Sequence, residues 1–256
     1  MEPHGAATTA EPDLDRQPFH TGADPRYIAF RGEFIDDVKL PDMLHLAFVR
    51  SPHAHAAIKE IDTSAADACP GVRAVITGLD LEGLGLSSMP TLVGDRQDVL
   101  PTDLVQFYGQ EVAAVLGVDR YAAADGAAAV RVEYEPLPPV IDPIAALRPG
   151  APLVRWDKPT NHVWRWQVGD AKATDHVFAE AAVKLAQEVT IPRISGAHLE
   201  TCGCVASWDA TEKTLTLWAT THSPEAVRTT RRISAGMLRA RCWSILPTCW
   251  PWPARF

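Results

Sequence analysis

The chain has 256 residues, 46% of them hydrophobic and 22% charged, with a formal net charge of −8. That length supports a sizeable core and two domains, and the acidic balance leaves no basic stripe to neutralise phosphates, which argues against nucleic-acid binding. No run of about 18 apolar residues is present, MEPHGAATTAEPDLDRQPFH has neither a basic nor an apolar signal region, and five scattered cysteines do not make a disulfide framework, so a reduced, cytoplasmic protein without a membrane span is expected.

Residues 1–24 lack periodicity and read as a disordered tail, with order beginning near Arg26. MLHLAFVR (43–50) alternates, with Leu44, Leu46 and Phe48 on one face and His45, Ala47 and Val49 on the other, the pattern of a strand with at least one buried face. SPHAHA bends the chain at Pro52, and Ala56–Ile61 forms a second strand. Thr63 or Ser64 caps a short helix that must end before Pro70-Gly71. VRAVIT (72–77) is rich in β-branched residues and reads as a strand. Residues 83–99 are loop-like, EVAAVLGV (111–118) is a buried strand, 119–129 a helix, and 130–134 a strand closed by EPLPP. Asp142-Pro143 opens a short helix.

Proline and glycine cluster in 148–161, the expected linker between a first domain at 25–147 and a second at 162–236. VWRWQVGD is read as an alternating strand, 170–182 as a helix, and VKLAQEVTI (183–191) as a strand with Val183, Leu185, Val189 and Ile191 on one face. Cys202–Trp208 and Thr214–Thr220 form a hairpin across DATEK. Ser223 caps a helix at 224–235 that has Pro224 at its first position. The last stretch, 237–256, packs Trp243, Trp250 and Trp252 with three prolines, shows neither helix nor strand periodicity, and reads as aberrant, as from a shifted reading frame.

Two constellations invite a chemical reading. Cys202-Gly203-Cys204 lies beside Glu200 and His198. A structural zinc site draws four ligands from wider-spaced pairs, and a redox pair has two intervening residues near a helix start. Small buried side chains in a strand fit the one-residue spacing better than either. His53 and His55 would face one way in extended chain, but two imidazoles need a third ligand for a metal; the plainer alternative is imidazoles bonded to backbone at a bend. Carboxylate runs such as Asp36-Asp37 read as solvated faces, and no phosphate loop, dinucleotide fingerprint or nucleophile elbow occurs. The residues by themselves support a two-domain α+β protein.

A family resemblance adds to this. RGEFIDDVKLPDMLHLAFVRSPHAHAAIKEIDTSAADACPGVRAVITGLDL and GQEVAAVLGVDRYAAADGAAAVRVEYEPLPPVIDP resemble the large subunit of the molybdenum hydroxylases, the xanthine dehydrogenase and aldehyde oxidase family. MPTLVGDRQDVL, NHVWRWQVGD, LETCGCVASWD and TLTLWATTHSPEAVRT resemble its aerobic carbon monoxide dehydrogenase type. The resemblance covers about Arg26 to Gly236. It implies an α/β-hammerhead domain followed by the truncated start of a molybdopterin-binding domain. It also implies an oxidoreductase that oxidises carbon monoxide, or a small aldehyde or heterocycle, with water as the oxygen source.

The cofactor so implied is molybdenum on molybdopterin cytosine dinucleotide, with copper in the carbon monoxide type. The implied partners are an FAD-binding medium subunit, an iron–sulfur small subunit and a second large subunit. His222 stands where the family has a glutamine beside the molybdenum, and Glu200, Cys202 and Cys204 match scaffold positions. The family's later cofactor segments, its copper-binding cysteine loop and its glutamate base have no counterpart in these residues. The chain alone is therefore expected to be inactive and to bind no cofactor, and apolar faces such as Val183/Leu185/Val189 and Leu215/Leu217 are expected to lack a cover. The rival expectation is a non-catalytic module that docks the other subunits.

Overall fold

The computed structural model describes residues 34–89, 97–192, 202–221, 227 and 239–244. The proposed tail at 1–24, Glu200, His222 and all of the helix expected at 224–235 except Val227 lie outside the described residues. Two units are distinguished: 39–192 form one, and 34–38 with 202–221 and 239–244 form the other.

The first unit is built around β7 (Glu111–Gly117), which pairs antiparallel with β1 (His45–Arg50) on one side and β3 (Val72–Thr77) on the other. Its apolar run is explained by burial: Val112, Ala113 and Val115 are completely inaccessible. A second sheet has the order β6 (Leu104–Val105), β2 (Ala56–Asp62), β8 (Arg131–Pro136), and Ala57 of β2 lies opposite both Leu104 and Glu135. Val112 packs with Ala56 and Val105, and Val115 with Ala66 and Val130, so one strand feeds both core clusters. Each such buried valine contributes about 1.5–3 kcal/mol.

α1 (Ser64–Asp67) and α3 (Arg120–Ala129) cover one face of the β1–β7–β3 sheet. Asp119 caps α3 by accepting from the Ala122 amide at 2.8 Å. The helix lies close because two glycines admit it. A Cβ on Gly126 would stand 2.6 Å from Val72 Cγ2, and one on Gly117 would stand 2.4 Å from the Ala123 nitrogen. Along β1 the two faces separate as the alternation requires: Leu46 and Phe48 are exposed, and the half-buried Val49 packs into the core.

Several expectations need correction. Residues 78–83 form a short helix, α2 (Gly78–Gly83), where no element was expected. Asp80 closes its first turn, accepting from the Thr77 amide at 2.7 Å and the Thr77 hydroxyl at 2.8 Å. The region expected to be loop at 83–99 contains a two-residue ladder, β4 (Ser88–Met89) with β5 (Gln97–Asp98). The helix at 142 is only a 3-10 turn, Ala145–Leu147. The linker is ordered by Asn161, whose side chain donates to the Ala146 and Pro152 carbonyls and accepts from the Val154 amide. Beyond it, 163–170 and 183–191 form neither helix nor strand and belong to no sheet among the described residues, and α4 (Ala171–Glu180) buries no residue. Alternation in those segments is real; a strand partner among the described residues is not.

In the second unit β9 (Cys204–Asp209) and β10 (Thr214–Ala219) form the expected hairpin. β11 (Arg239–Ser244) runs parallel to β10, from Arg239 opposite Thr214 to Ser244 opposite Ala219. Part of the stretch read as aberrant therefore forms a strand. Leu217, expected to lack a cover, is buried, because β10 is the central strand. Ile35, in a 3-10 turn at Ile35–Asp37, is buried as well.

Two outcomes test this packing. Gly117→Ala should lower the unfolding free energy by about 2–3 kcal/mol in urea, whereas Gly83→Ala, which meets nothing within 4 Å, should change it by less than about 1 kcal/mol; equal effects would contradict the close approach of α3. The hydrogen bonds from Thr77 hold the Asp80 carboxyl below its ordinary 3.8. Their contribution is present above that value and lost as pH falls through the lower folded value. The Thr77 amide resonance should titrate with a midpoint under 3.8; a midpoint at or above it would contradict the cap.

Candidate functional site

The SPHAHA bend follows β1, whose alternation ends where Ser51 turns inward. Ser51 is 2% exposed. Its amide donates to the Gln110 carbonyl at 2.9 Å, its carbonyl accepts from the Gly109 amide at 3.0 Å, and its hydroxyl accepts from the His53 amide at 3.1 Å. Arg50 Nη1 reaches both the Gly109 carbonyl at 2.9 Å and Glu111 at 2.7 Å. Gln110, also buried, accepts the Gln106 amide at 2.7 Å. These bonds bind the bend to the entry of β7.

Residues 51–55 are not extended, so the two imidazoles take different partners. The His53 ring meets Tyr134 edge-on, with centroids 5.2 Å apart. Burial raises the Tyr134 hydroxyl above its ordinary range, and a hydrogen bond with Ser51 acts the other way. His55 Nδ1 donates to the Pro138 carbonyl at 2.9 Å, and the His55 carbonyl accepts the Leu137 amide at 2.9 Å. The proton therefore sits on Nδ1, leaving Nε2 a bare acceptor; it is buried without a partner among the described residues. The bonding of an imidazole to backbone at a bend is what His55 shows, and this corner joins the SPHAHA and YEPLP segments.

The Cys202 and Cys204 thiols are free and exposed, which corrects the expectation of buried side chains. They flank Gly203 at the open end of an edge strand. The Gly203 amide donates to Thr220 Oγ1 at 2.9 Å, and the Thr220 amide donates back to the Gly203 carbonyl at 3.1 Å. A Cβ at this position would stand 3.2 Å from Ile35 Cγ2, a tight contact. Alternation turns that position toward Ile35 and the thiols to solvent. These residues are scaffold around Ile35.

Among the described residues no three His, Cys, Asp or Glu side chains gather to hold a metal ion. A surface hollow of about 310 Å³ lies along 139–152, with Asp142 and Arg148 as its charged lining residues. Asp142 Oδ1 already accepts the Ile144 and Ala145 amides. His222 lies outside the described residues. The sequence reading passed over the buried tie-points Ser51 and Gln110 and the half-buried Asn161. The available signal for Asn161 was a lone amide side chain in a proline- and glycine-rich segment.

Residues 31–138 match the sequence model described as the aldehyde oxidase and xanthine dehydrogenase a/b hammerhead domain, and 154–240 match the molybdopterin cofactor-binding domain. The chain is 47% identical over 236 residues to the carbon monoxide dehydrogenase large chain of Afipia carboxidovorans, covering 88% of this chain and 29% of that one. It is 34% identical over 231 residues to the nicotine 6-hydroxylase large subunit of Paenarthrobacter nicotinovorans, covering 88% and 28%. A crystal structure of a Cu,Mo-CO dehydrogenase matches with a TM-score of 0.77 at 48% identity, over 83% of this chain and 28% of that chain. The chain spans less than a third of the length of these relatives. It belongs to the aldehyde oxidase and xanthine dehydrogenase family, carrying that family's hammerhead domain and residues of its molybdopterin cofactor-binding domain.

Proposed function

We propose that this chain forms part of the molybdenum-binding large subunit of a hydroxylase of the aerobic carbon monoxide dehydrogenase type. The observation that carries the reading is 47% identity to a carbon monoxide dehydrogenase large chain, against 34% to a nicotine 6-hydroxylase large subunit over nearly the same length. The assembled enzyme would oxidise carbon monoxide, or a small aldehyde or heterocycle, with water as the oxygen source. Molybdenum would be held on molybdopterin cytosine dinucleotide, with copper if the substrate is carbon monoxide. The partners would be an FAD-binding medium subunit, an iron–sulfur small subunit and a second large subunit, in the cytoplasm. A purely subunit-docking role is not favoured, since 154–240 match a cofactor-binding domain.

In this reading the hammerhead domain runs over 25–147, a linker over 148–161, and the cofactor-binding part over 162–236. His222 would stand near the molybdenum, offering an imidazole in place of the family's glutamine; its reach and charge differ from those of an amide. In the same reading this chain by itself neither binds the cofactor nor turns over. The test is elemental analysis with carbon monoxide-dependent dye reduction, on the purified chain and on a preparation co-expressed with the three subunit types. The chain alone should carry no stoichiometric molybdenum and reduce no dye, and only the assembly should do both. Molybdenum bound to the isolated chain, or an assembly free of it, would contradict the reading.

A further inference from the structure

Two free thiols stand one residue apart on the edge of the second unit. Cys202 lies at the bend that leads into β9, and Cys204 is the first residue of that strand. Both are exposed, whereas Cys69 is half-buried and its thiol donates to the Ala65 carbonyl at 3.4 Å. Gly203, between the exposed pair, is held by both of its backbone groups. Its amide donates to Thr220 Oγ1 at 2.9 Å, and its carbonyl accepts the Thr220 amide at 3.1 Å. These bonds carry the β9–β10 pairing one residue past Cys204, which lies opposite Ala219. β9 is the outer strand of its sheet, so none of the described strands pairs with its other side. A segment fixed at its centre gives up little further freedom when its two flanking side chains take one ligand.

Two trans peptide bonds keep the Cα atoms of these cysteines within about 7 Å of each other, so their sulfurs can converge on a single atom. The number and kind of donors decide which atom. A zinc site draws at least three protein donors, and no three His, Cys, Asp or Glu side chains gather among the described residues. Calcium and magnesium take oxygen ligands. A disulfide would draw the sulfurs to about 2.05 Å, across one residue whose backbone is already held to Thr220. A bridging ion asks for less movement: with metal–sulfur bonds of about 2.3 Å, the sulfurs stay up to about 4.6 Å apart. Thiolate sulfur selects soft metals, and the singly charged d10 ions among them are satisfied by two sulfurs. We propose that Cys202 and Cys204 form a two-thiolate site for a soft, singly charged metal ion. As the ion binds, each sulfur gives its proton to solvent and forms one bond to the metal; no electron changes hands.

The probe is silver(I), added to the reduced full-length chain in the presence of an excess monothiol competitor and read by native mass spectrometry. The chain carries Cys242→Ser and Cys249→Ser, which leaves the pair and Cys69 as its thiols. One silver ion should be retained per chain. Cys202→Ser and Cys204→Ser should each weaken retention at least about 100-fold, the loss expected when a two-point attachment becomes a one-point attachment. Cys69→Ser should leave retention unchanged. Neither Cys202→Ser nor Cys204→Ser should move the melting temperature of the metal-free chain, because both side chains are exposed. The proposal is overturned if the chain retains no silver, or if either of those two variants retains it as the parent does. It is equally overturned if zinc(II) is held as tightly as silver(I), or if the ion links two chains instead of two thiols of one. Molybdenum takes no part in this readout, so the result stands apart from the large-subunit reading.

Discussion

Gly117 ends β7 at the point where the backbone of α3 leaves no room for a side chain, and the hammerhead unit depends on that approach. With the helix so close, Val115 can meet Ala66 and Val130 beneath it, while Val112, three residues earlier, meets Ala56 and Val105 of the other sheet. The bend at Ser51 depends on the same strand, through hydrogen bonds to Gly109 and Gln110 at its entry. The positions of His53 and His55 follow from that bend. A single central strand thus sets the core and the corner where the two hammerhead segments meet.

Alternation made β1 legible, β-branched richness β3, and an unbroken apolar run β7, which is buried on both faces. It missed α2 and the β4–β5 ladder, which are too short to show a period. It also placed strands at 163–170 and 183–191, where the residues alternate but no sheet forms. An alternating pattern records which face is to be covered; it does not establish that the cover is in the same stretch of chain. The cysteines failed for a different reason. Gly203 between them lies near Ile35, a neighbour from a distant part of the sequence that no local pattern contains.

The candidate two-histidine constellation dissolves once its partners are known. His53 faces Tyr134, His55 is tied to the Pro138 carbonyl, and Cys202 and Cys204 are exposed on either side of Gly203. What remains is a scaffold: a closed hammerhead unit, a hairpin extended by a parallel third strand, and between them in sequence a stretch rich in exposed apolar side chains. That division matches the comparisons, which place the chain in a family of much longer large subunits.

The central claim is that the part of the chain around β7 is closed on its own core, while 183–191 belongs to no sheet among the described residues. Residue-resolved amide hydrogen exchange on the isolated chain tests this most directly. Amides of 112–116 in β7 should be the slowest to exchange, opening only with global unfolding, while those of 183–191 exchange at the rate of free peptide. Protection of 183–191 equal to that of β7 would contradict the account.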